Sequence, residues 1–179
     1  MTYTLQQLSD FEDIRTLKHR YYRGIDTADE ALLDGLFTDD VTVEYRGGGY
    51  LVRLAGRAEM VDFLMNSFHA DAVAMHQGSM PEIKLLGDDE AEGLWYLEDV
   101  FISFERNDIT SGTALYRDRY RRVDGQWKIA RTEYDRIMEV VESLRPEQKV
   151  TVRHLGKVGR RREQRHDISH LITWFEPAE

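Results

Sequence analysis

The chain has 179 residues, 41% hydrophobic and 32% charged, with a formal net charge of −9 and no cysteine. That is enough apolar material for one globular domain with a real core. It excludes disulfides, thiolate chemistry and sulfur-ligated metals, and the negative balance argues against general nucleic-acid binding. There is no run of about 18 apolar residues, so no membrane span is expected. The opening MTYTLQQLSD has neither the basic nor the apolar segment of a secretory signal. A cytoplasmic protein is the expectation these features suit.

Leu5, Leu8, Phe11, Ile14, Leu17, Tyr21 and Ile25 recur at spacings of three and four, which predicts an amphipathic helix over 5–25. Asp29 reads as the N-cap of a short second helix over EALLDGLF, broken by Thr38-Asp39-Asp40. VTVEY (41–45) is an alternating, β-branched strand, Gly47–Gly49 a turn, and YLVRL a short returning strand. AEMVDFLMNSF (58–68) is a third helix. Beyond it the period changes to two. Ala72–Met75 leads into His76, which reads as the start of a strand, and EIKLL (82–86) follows Pro81. After a GDDE turn come long strands over 93–105 and 114–123, the Asp124-Gly125 hairpin turn, and QWKIARTEYDRIMEV. Helices first and an antiparallel meander after them make an α+β fold, with helices on one face of a curved sheet.

Residues 143–179 read as an extension of the 1–142 domain. Pro146 ends the sheet region, KVTVRHLG is expected to add a short strand, and ISHLITWF is an apolar run. Its burial is expected on the domain's own open edge or on a partner subunit. The basic run KVGRRREQR (157–165) reads as a solvated tail or a subunit contact, since it lacks the interleaved aromatics of a nucleic-acid patch.

Few polar residues fall where an apolar pattern should be unbroken. Asp99 shares strand parity with Trp95, Leu97 and Phe101, so a buried Asp99 needs a partner. His76 is a candidate for that partner; a lone histidine in an apolar strand is more often structural than catalytic. Asp26 ends the first helix, where its bland role is turn chemistry. Tyr21 lies on the apolar stripe and fills core on the plain reading; Tyr22, four residues before Asp26, is the rival tyrosine. Tyr116, Tyr120, Tyr134, Trp95, Phe101 and Met75 read as core and pocket wall, suited to a bulky apolar ligand. His69, His154, His166 and His170 have no partner that sequence identifies. No histidine spacing on a helix suggests a metal, and no Gly-rich loop precedes a helix as a phosphate site would require.

Three segments, "RYYRGIDTADEALLDGLFTDDVTVEY" (20–45), "MHQGSMPEIKLLGDDEAEGLWYLED" (75–99) and "YRDRYRRVDGQWKIARTEYDR" (116–136), resemble the SnoaL-like branch of the NTF2-like superfamily. The resemblance covers about residues 5–140. It implies a cone-shaped, bent antiparallel sheet whose pocket is closed by helices, and a homo-oligomer, dimer or trimer. The superfamily includes dehydratases, dehydrochlorinases, cyclases, isomerases and non-catalytic proteins, so fold alone does not give function.

The polar residues look most like those of the scytalone and bile-acid 7α-dehydratase types. Those place a tyrosine and an aspartate at the end of the first helix, a histidine opening a central strand and an acidic residue on the next long strand. Tyr21, Asp26, His76 and Asp99 match. The lindane dehydrochlorinase type shares the Asp/His pair but has a lysine where Tyr21 stands and an arginine late in the sheet, for which Arg131 and Arg136 are candidates. The second histidine of scytalone dehydratase, in the region of Asp99, is missing, which sets that substrate aside.

The implied activity is a cofactor-independent lyase, a dehydratase acting on a hydrophobic cyclic small molecule such as a steroid or polyketide. His76 would be the base, Asp26 or Asp99 would orient it, and Tyr21 would assist the leaving group. Tyr22, Trp95, Phe101, Tyr116 and Arg136 would contact substrate. The alternatives are a ketosteroid-isomerase or polyketide-cyclase type of enzyme, or a non-catalytic ligand-binding module. No cofactor, metal, nucleic acid or membrane partner is expected.

Overall fold

The structure is a computed structural model that describes residues 2–176. Helix α1 (Leu5–Thr27) starts at a Thr4/Gln7 capping box and stops where Ala28 turns left-handed. Its buried stripe runs through Phe11, Ile14, Leu17, Tyr21 and Ile25, with Lys18 and Tyr22 on the same face. Leu5 and Leu8 stay exposed, because the first turn extends past the sheet it packs on. Helix α2 (Glu30–Asp34) is capped by the Asp29 carboxylate, which accepts from Leu32 N–H.

Strand β1 (Phe37–Arg46) begins four residues before the predicted VTVEY. Thr38-Asp39-Asp40 therefore opens a strand and does not merely break a helix. The reason is tertiary: Phe37 pairs with Ile129 and is fully buried. β2 (Tyr50–Ala55) returns after the glycine turn, and α3 (Arg57–Ser67) follows. β3 (Ala72–Leu85), β4 (Glu90–Ser103), β5 (Asp108–Val123) and β6 (Gln126–Ser143) are long strands. His76 lies inside β3, four residues after its start, and does not open it. Pro81 is also inside β3, beside a register irregularity between Ser79 and Glu82 where Met80 adopts φ +49°. β3 tolerates the proline because it is an edge strand.

The sheet is seven-stranded and unclosed, in the order β3-β4-β5-β6-β1-β2-β7, with β7 spanning Ile172–Trp174. Every pairing is antiparallel except β1 with β6, which is parallel, so the sheet is not a simple meander. Register places Trp95, Tyr116, Tyr134 and Tyr45 side by side across β4, β5, β6 and β1. The three tyrosine rings meet edge-on or stacked, Tyr45 on Tyr134 at 4.5 Å between centroids and Tyr116 against Tyr134 edge-on. The tyrosines of this row floor the concave side, and Trp95 is buried beside them.

Beyond β6 the chain folds back over the domain. The KVTVRHLG segment forms no strand; its end enters a short helix α4 (Leu155–Val158), and the 3₁₀ turns Arg162–Gln164 and Ser169–Leu171 follow. β7 pairs with β2 and covers that edge for three residues. The basic run is not a free tail. Arg160 bonds Asp62 and Glu30, and Arg165 bonds Asp71 and Glu105, so its cations fasten the segment to α3 and to the ends of β3 and β4.

Lys18 is the least expected core residue. Its side chain is fully buried with that of Asp118, Nζ to Oδ2 at 2.8 Å, and its ammonium sits 3.7 Å from the centroid of the Tyr116 ring. Asp118 Oδ2 also accepts from Tyr120, whose oxygen accepts from Trp95 Nε1. Burial disfavours the lysine charge and draws its pKa down, against the pull of Asp118. Removing one partner leaves the other charge uncompensated. Lys18→Met is expected to lower stability by about 3–5 kcal/mol, and Lys18→Met with Asp118→Leu to recover most of it, as read by urea unfolding.

Candidate functional site

The concave face forms a half-open cavity of about 520 Å³. Tyr21, Tyr45, Tyr116 and Tyr134 line its floor; Phe63, Leu64, Phe68 and Phe101 line its sides. Ile168, Ile172 and Trp174 from the C-terminal segment complete the wall.

His76 faces this cavity from β3. Its Nδ1 lies 2.6 Å from Asp26 Oδ1, and its backbone N–H donates to Asp26 Oδ2 at 2.9 Å. A carboxylate can only accept, so Nδ1 carries the proton and the Nε2 lone pair is left for a ligand. The backbone bond is available because β3 is an edge strand, whose outward N–H groups lack a neighbouring strand. Helix α1 supplies the missing acceptor. Tyr22 lies parallel to the imidazole, centroids 6.2 Å apart, and Phe68 meets it edge-on at 5.2 Å. Gly78, two residues along β3 on the same face, makes room for Tyr22: a Cβ there would lie 2.2 Å from Tyr22 Cε2.

Asp99 is the cross-strand partner of His76 in register, but its carboxylate turns to Arg136. Arg136 grips both oxygens: Nη2 lies 2.8 Å from Oδ2, and Nη1 reaches Oδ1. The orienting role considered for Asp99 is thus filled geometrically by Asp26. Burial works against the charge on Arg136, but the Asp99 bonds outweigh it and hold the guanidinium charged. Arg136 Nε lies 3.0 Å from Glu139 Oε2. Both side chains reach the cavity because β6 bulges at Ile137, between the pairs Ala114–Arg136 and Thr113–Met138. Gly112, opposite Asp99 and Glu139, leaves space for that bulge; a Cβ there would lie 2.3 Å from the Met138 carbonyl oxygen. Arg131 is exposed and bonds Glu133, away from the site.

Tyr21 shares a 2.7 Å hydrogen bond with Tyr45, so one of the two hydroxyl protons is left for a third partner. Burial, reinforced by the Tyr45 phenol, pushes Tyr21 well above the ordinary tyrosine range, so it stays protonated. Tyr50 and Tyr134 share a similar bond at 2.5 Å.

Of the residues expected to meet substrate, Phe101, Tyr116 and Arg136 line the cavity. Tyr22 and Trp95 do not. Tyr22 backs the imidazole, and Trp95 is fully buried with Nε1 donating to Tyr120. Strand parity gave the correct face for Trp95, and helix spacing from Asp26 did so for Tyr22, but neither gave the depth. Tyr45, Glu139 and His69 also line the cavity and had no signal beyond strand parity or position after a helix. Among the described residues, no group of three or more His, Cys, Asp or Glu side chains is placed to hold a metal ion. None of the described helices is long and apolar enough to cross a membrane.

The fold agrees with a family match. Residues 6–133 match the SnoaL-like domain model, and the chain belongs to that NTF2-like family. Among solved structures it is similar to a type 2 hexachlorocyclohexane dehydrochlorinase, LinA (19% identity, TM-score 0.72, 83% of this chain and 99% of that one). It is also similar to LinA-type3 from Novosphingobium barchaimii (21%, 0.69, 83% and 99%). A third is a protein from Novosphingobium aromaticivorans named provisionally as a scytalone dehydratase (21%, 0.68, 81% and 97%). At these identities the likeness shows a common fold.

The close approach of Tyr22 gives a direct check. Gly78→Ala is expected to lower stability by about 1–3 kcal/mol, because Tyr22 or β3 must move. Gly87→Ala, where an added Cβ meets nothing within 4 Å, should stay within about 0.5 kcal/mol. Chemical denaturation of the two variants makes the comparison.

Proposed function

We propose that the protein is a lyase that eliminates water, or another small leaving group, from a hydrophobic cyclic molecule such as a steroid or aromatic polyketide. The observation that carries this is the Asp26–His76 pair, with His76 facing a half-open, largely apolar cavity. His76 Nε2 takes a proton from carbon. The C–H electron pair becomes the new double bond, the C–O bond breaks, and the departing oxygen takes a proton from Tyr21. The His76 proton then returns to the Tyr21 phenolate through the released water or solvent. Asp26 holds the tautomer and stabilises the imidazolium that forms. Arg136, held by Asp99 and Glu139, fixes polar groups on the substrate.

An isomerase or cyclase with an aspartate base fits less well, since Asp26 is engaged by His76 and Asp99 by Arg136. A binding-only module gives no reason for a carboxylate-oriented imidazole at the cavity wall. That the dehydrochlorinases and the provisionally named dehydratase eliminate small groups, as their names say, agrees with the lyase reading. It would act from the chain's own side chains, as a homo-oligomer.

His76→Ala is expected to lower turnover by about 10²–10⁴-fold or more while thermal unfolding stays close to wild type. The assay follows loss of water or halide from a panel of cyclic alcohols and halides. A fully active, folded His76→Ala on a substrate the wild type turns over would sink the mechanism.

A further inference from the structure

The segment that walls one side of the cavity is held there mainly by charge. Residues 145–170 carry eight of the 24 Arg and Lys but three of the 33 Asp and Glu, a net of +5 on a chain of net −9, so the remainder carries −14. The segment lies past residue 133, where the family match ends. Its first part is fixed by packing and by the backbone. Leu155 in α4 is 2% exposed, Arg153 Nη2 donates to the Ala70 carbonyl at 2.8 Å, and Ala70 N–H donates to the Arg160 carbonyl at 3.1 Å. Gly159 is packed so closely that an added Cβ would lie 2.8 Å from Ala70 N.

From Arg160 onward the fastening changes. None of the described residues 160–176 is buried. Arg160 reaches Asp62 at 2.8 Å and Glu30 at 3.2 Å. Arg165 reaches Glu105 at 2.7 Å and Asp71 at 3.3 Å. His166 Nε2 lies 2.7 Å from Asp62 Oδ2, and the His166 backbone N–H donates to Asn66 Oδ1 at 3.2 Å. Those acids sit on α2, on α3, just before β3 and between β4 and β5. Beyond the anchors, Ile168, Leu171 and Ile172 lie half-buried against the core, and Ile168, Ile172 and Trp174 face the cavity. β7 adds a pairing of only three residues to the β2 edge.

We propose that residues 160–176 are a charge-latched flap, hinged after Gly159, that lifts off the β2 edge to admit ligand to the cavity, and that ionic strength sets how often it is open. A short edge pairing and a half-buried apolar strip belong to the low-stability end of a fold, so the ion pairs decide the balance. The Glu30 and Glu105 side chains are 58% and 44% exposed, which leaves their pairs open to screening. The screening length falls from about 10 Å at 0.1 M salt to about 3 Å at 1 M. The flap needs no particular ligand or chemistry in the cavity, so it stands or fails apart from the lyase reading.

The chain has no cysteine, so one introduced thiol reports alone. Val52 is 3% exposed, lines the cavity and pairs with Ile172. Full-length Val52→Cys is treated with N-ethylmaleimide, a neutral reagent, from about 10 mM to about 1 M sodium chloride. Labelling is expected to accelerate at least about fivefold over that range. Adding Arg160→Gln and Arg165→Gln should give fast labelling at low salt and remove most of the salt dependence. Val43→Cys, at a buried position that does not line the cavity, should stay protected throughout. Hydrogen exchange of the Ile172–Trp174 amides in the unmodified protein should follow the same salt dependence, which keeps the test open if Val52→Cys does not fold. The proposal is overturned by salt-independent labelling of a folded Val52→Cys, by an arginine double variant that labels as slowly as its parent at low salt, by Val43→Cys labelling as fast as Val52→Cys, or by β7 amides whose exchange ignores salt.

Discussion

The site depends on one carboxylate with two duties. Asp26 accepts from the backbone N–H of His76 and from its ring. The first bond ties the end of α1 to an edge strand that has no further strand beside it. The second decides which ring nitrogen holds the proton. Because both bonds go to one residue, the helix cannot shift along β3 without also disturbing the imidazole. Position and protonation state of the proposed base are thus a single constraint, and Tyr22 and Gly78 serve it by packing behind the ring.

Around that constraint several polar groups are buried, and most of the charged ones come in pairs. Lys18 is matched to Asp118, Arg136 to Asp99, and the phenols pair as Tyr21 with Tyr45 and Tyr50 with Tyr134. Such groups are tolerated in a core when each has a partner, and each partnership restricts where its strand can sit. The aromatic belt supplies the shape of the cavity, and the paired charges supply its few fixed polar points. The C-terminal segment belongs to this arrangement, since it brings Ile168, Ile172 and Trp174 to the wall and is pinned by Arg160 and Arg165. Ile137, Met138 and Val140 on β6 are exposed apolar residues, and Val141 next to them reaches the cavity.

Much of the architecture was legible because it follows from local rules. The α1 stripe, the Asp29 cap, the Asp124-Gly125 hairpin and the long alternating strands each carry their signal within a few residues. The errors fell where distant pairing decides. Thr38–Asp40 lie within a strand because Phe37 before them and Thr42 after them pair with β6, Pro81 sat within β3 because that strand is an edge, and Arg160 and Arg165 of the basic run proved to be clamps because Glu30, Asp62, Asp71 and Glu105 face them. Within the site, His76 and Asp26 were marked by residue type and by resemblance. The choice between Asp26 and Asp99 was not readable, since both are acidic and both lie on the right elements.

By itself, the sequence determined the α+β class, the order of helices and strands, and the few polar residues that interrupt apolar patterns. Those are consequences of periodicity, and periodicity is local. Only the tertiary structure decided which carboxylate reaches His76, that Arg136 takes Asp99, that Trp95 is buried against Tyr120 and does not line the cavity, and that His69 does line it. These depend on register, on the bulge at Ile137 and on the direction of single side chains, and no spacing along the chain encodes them separately from the fold as a whole.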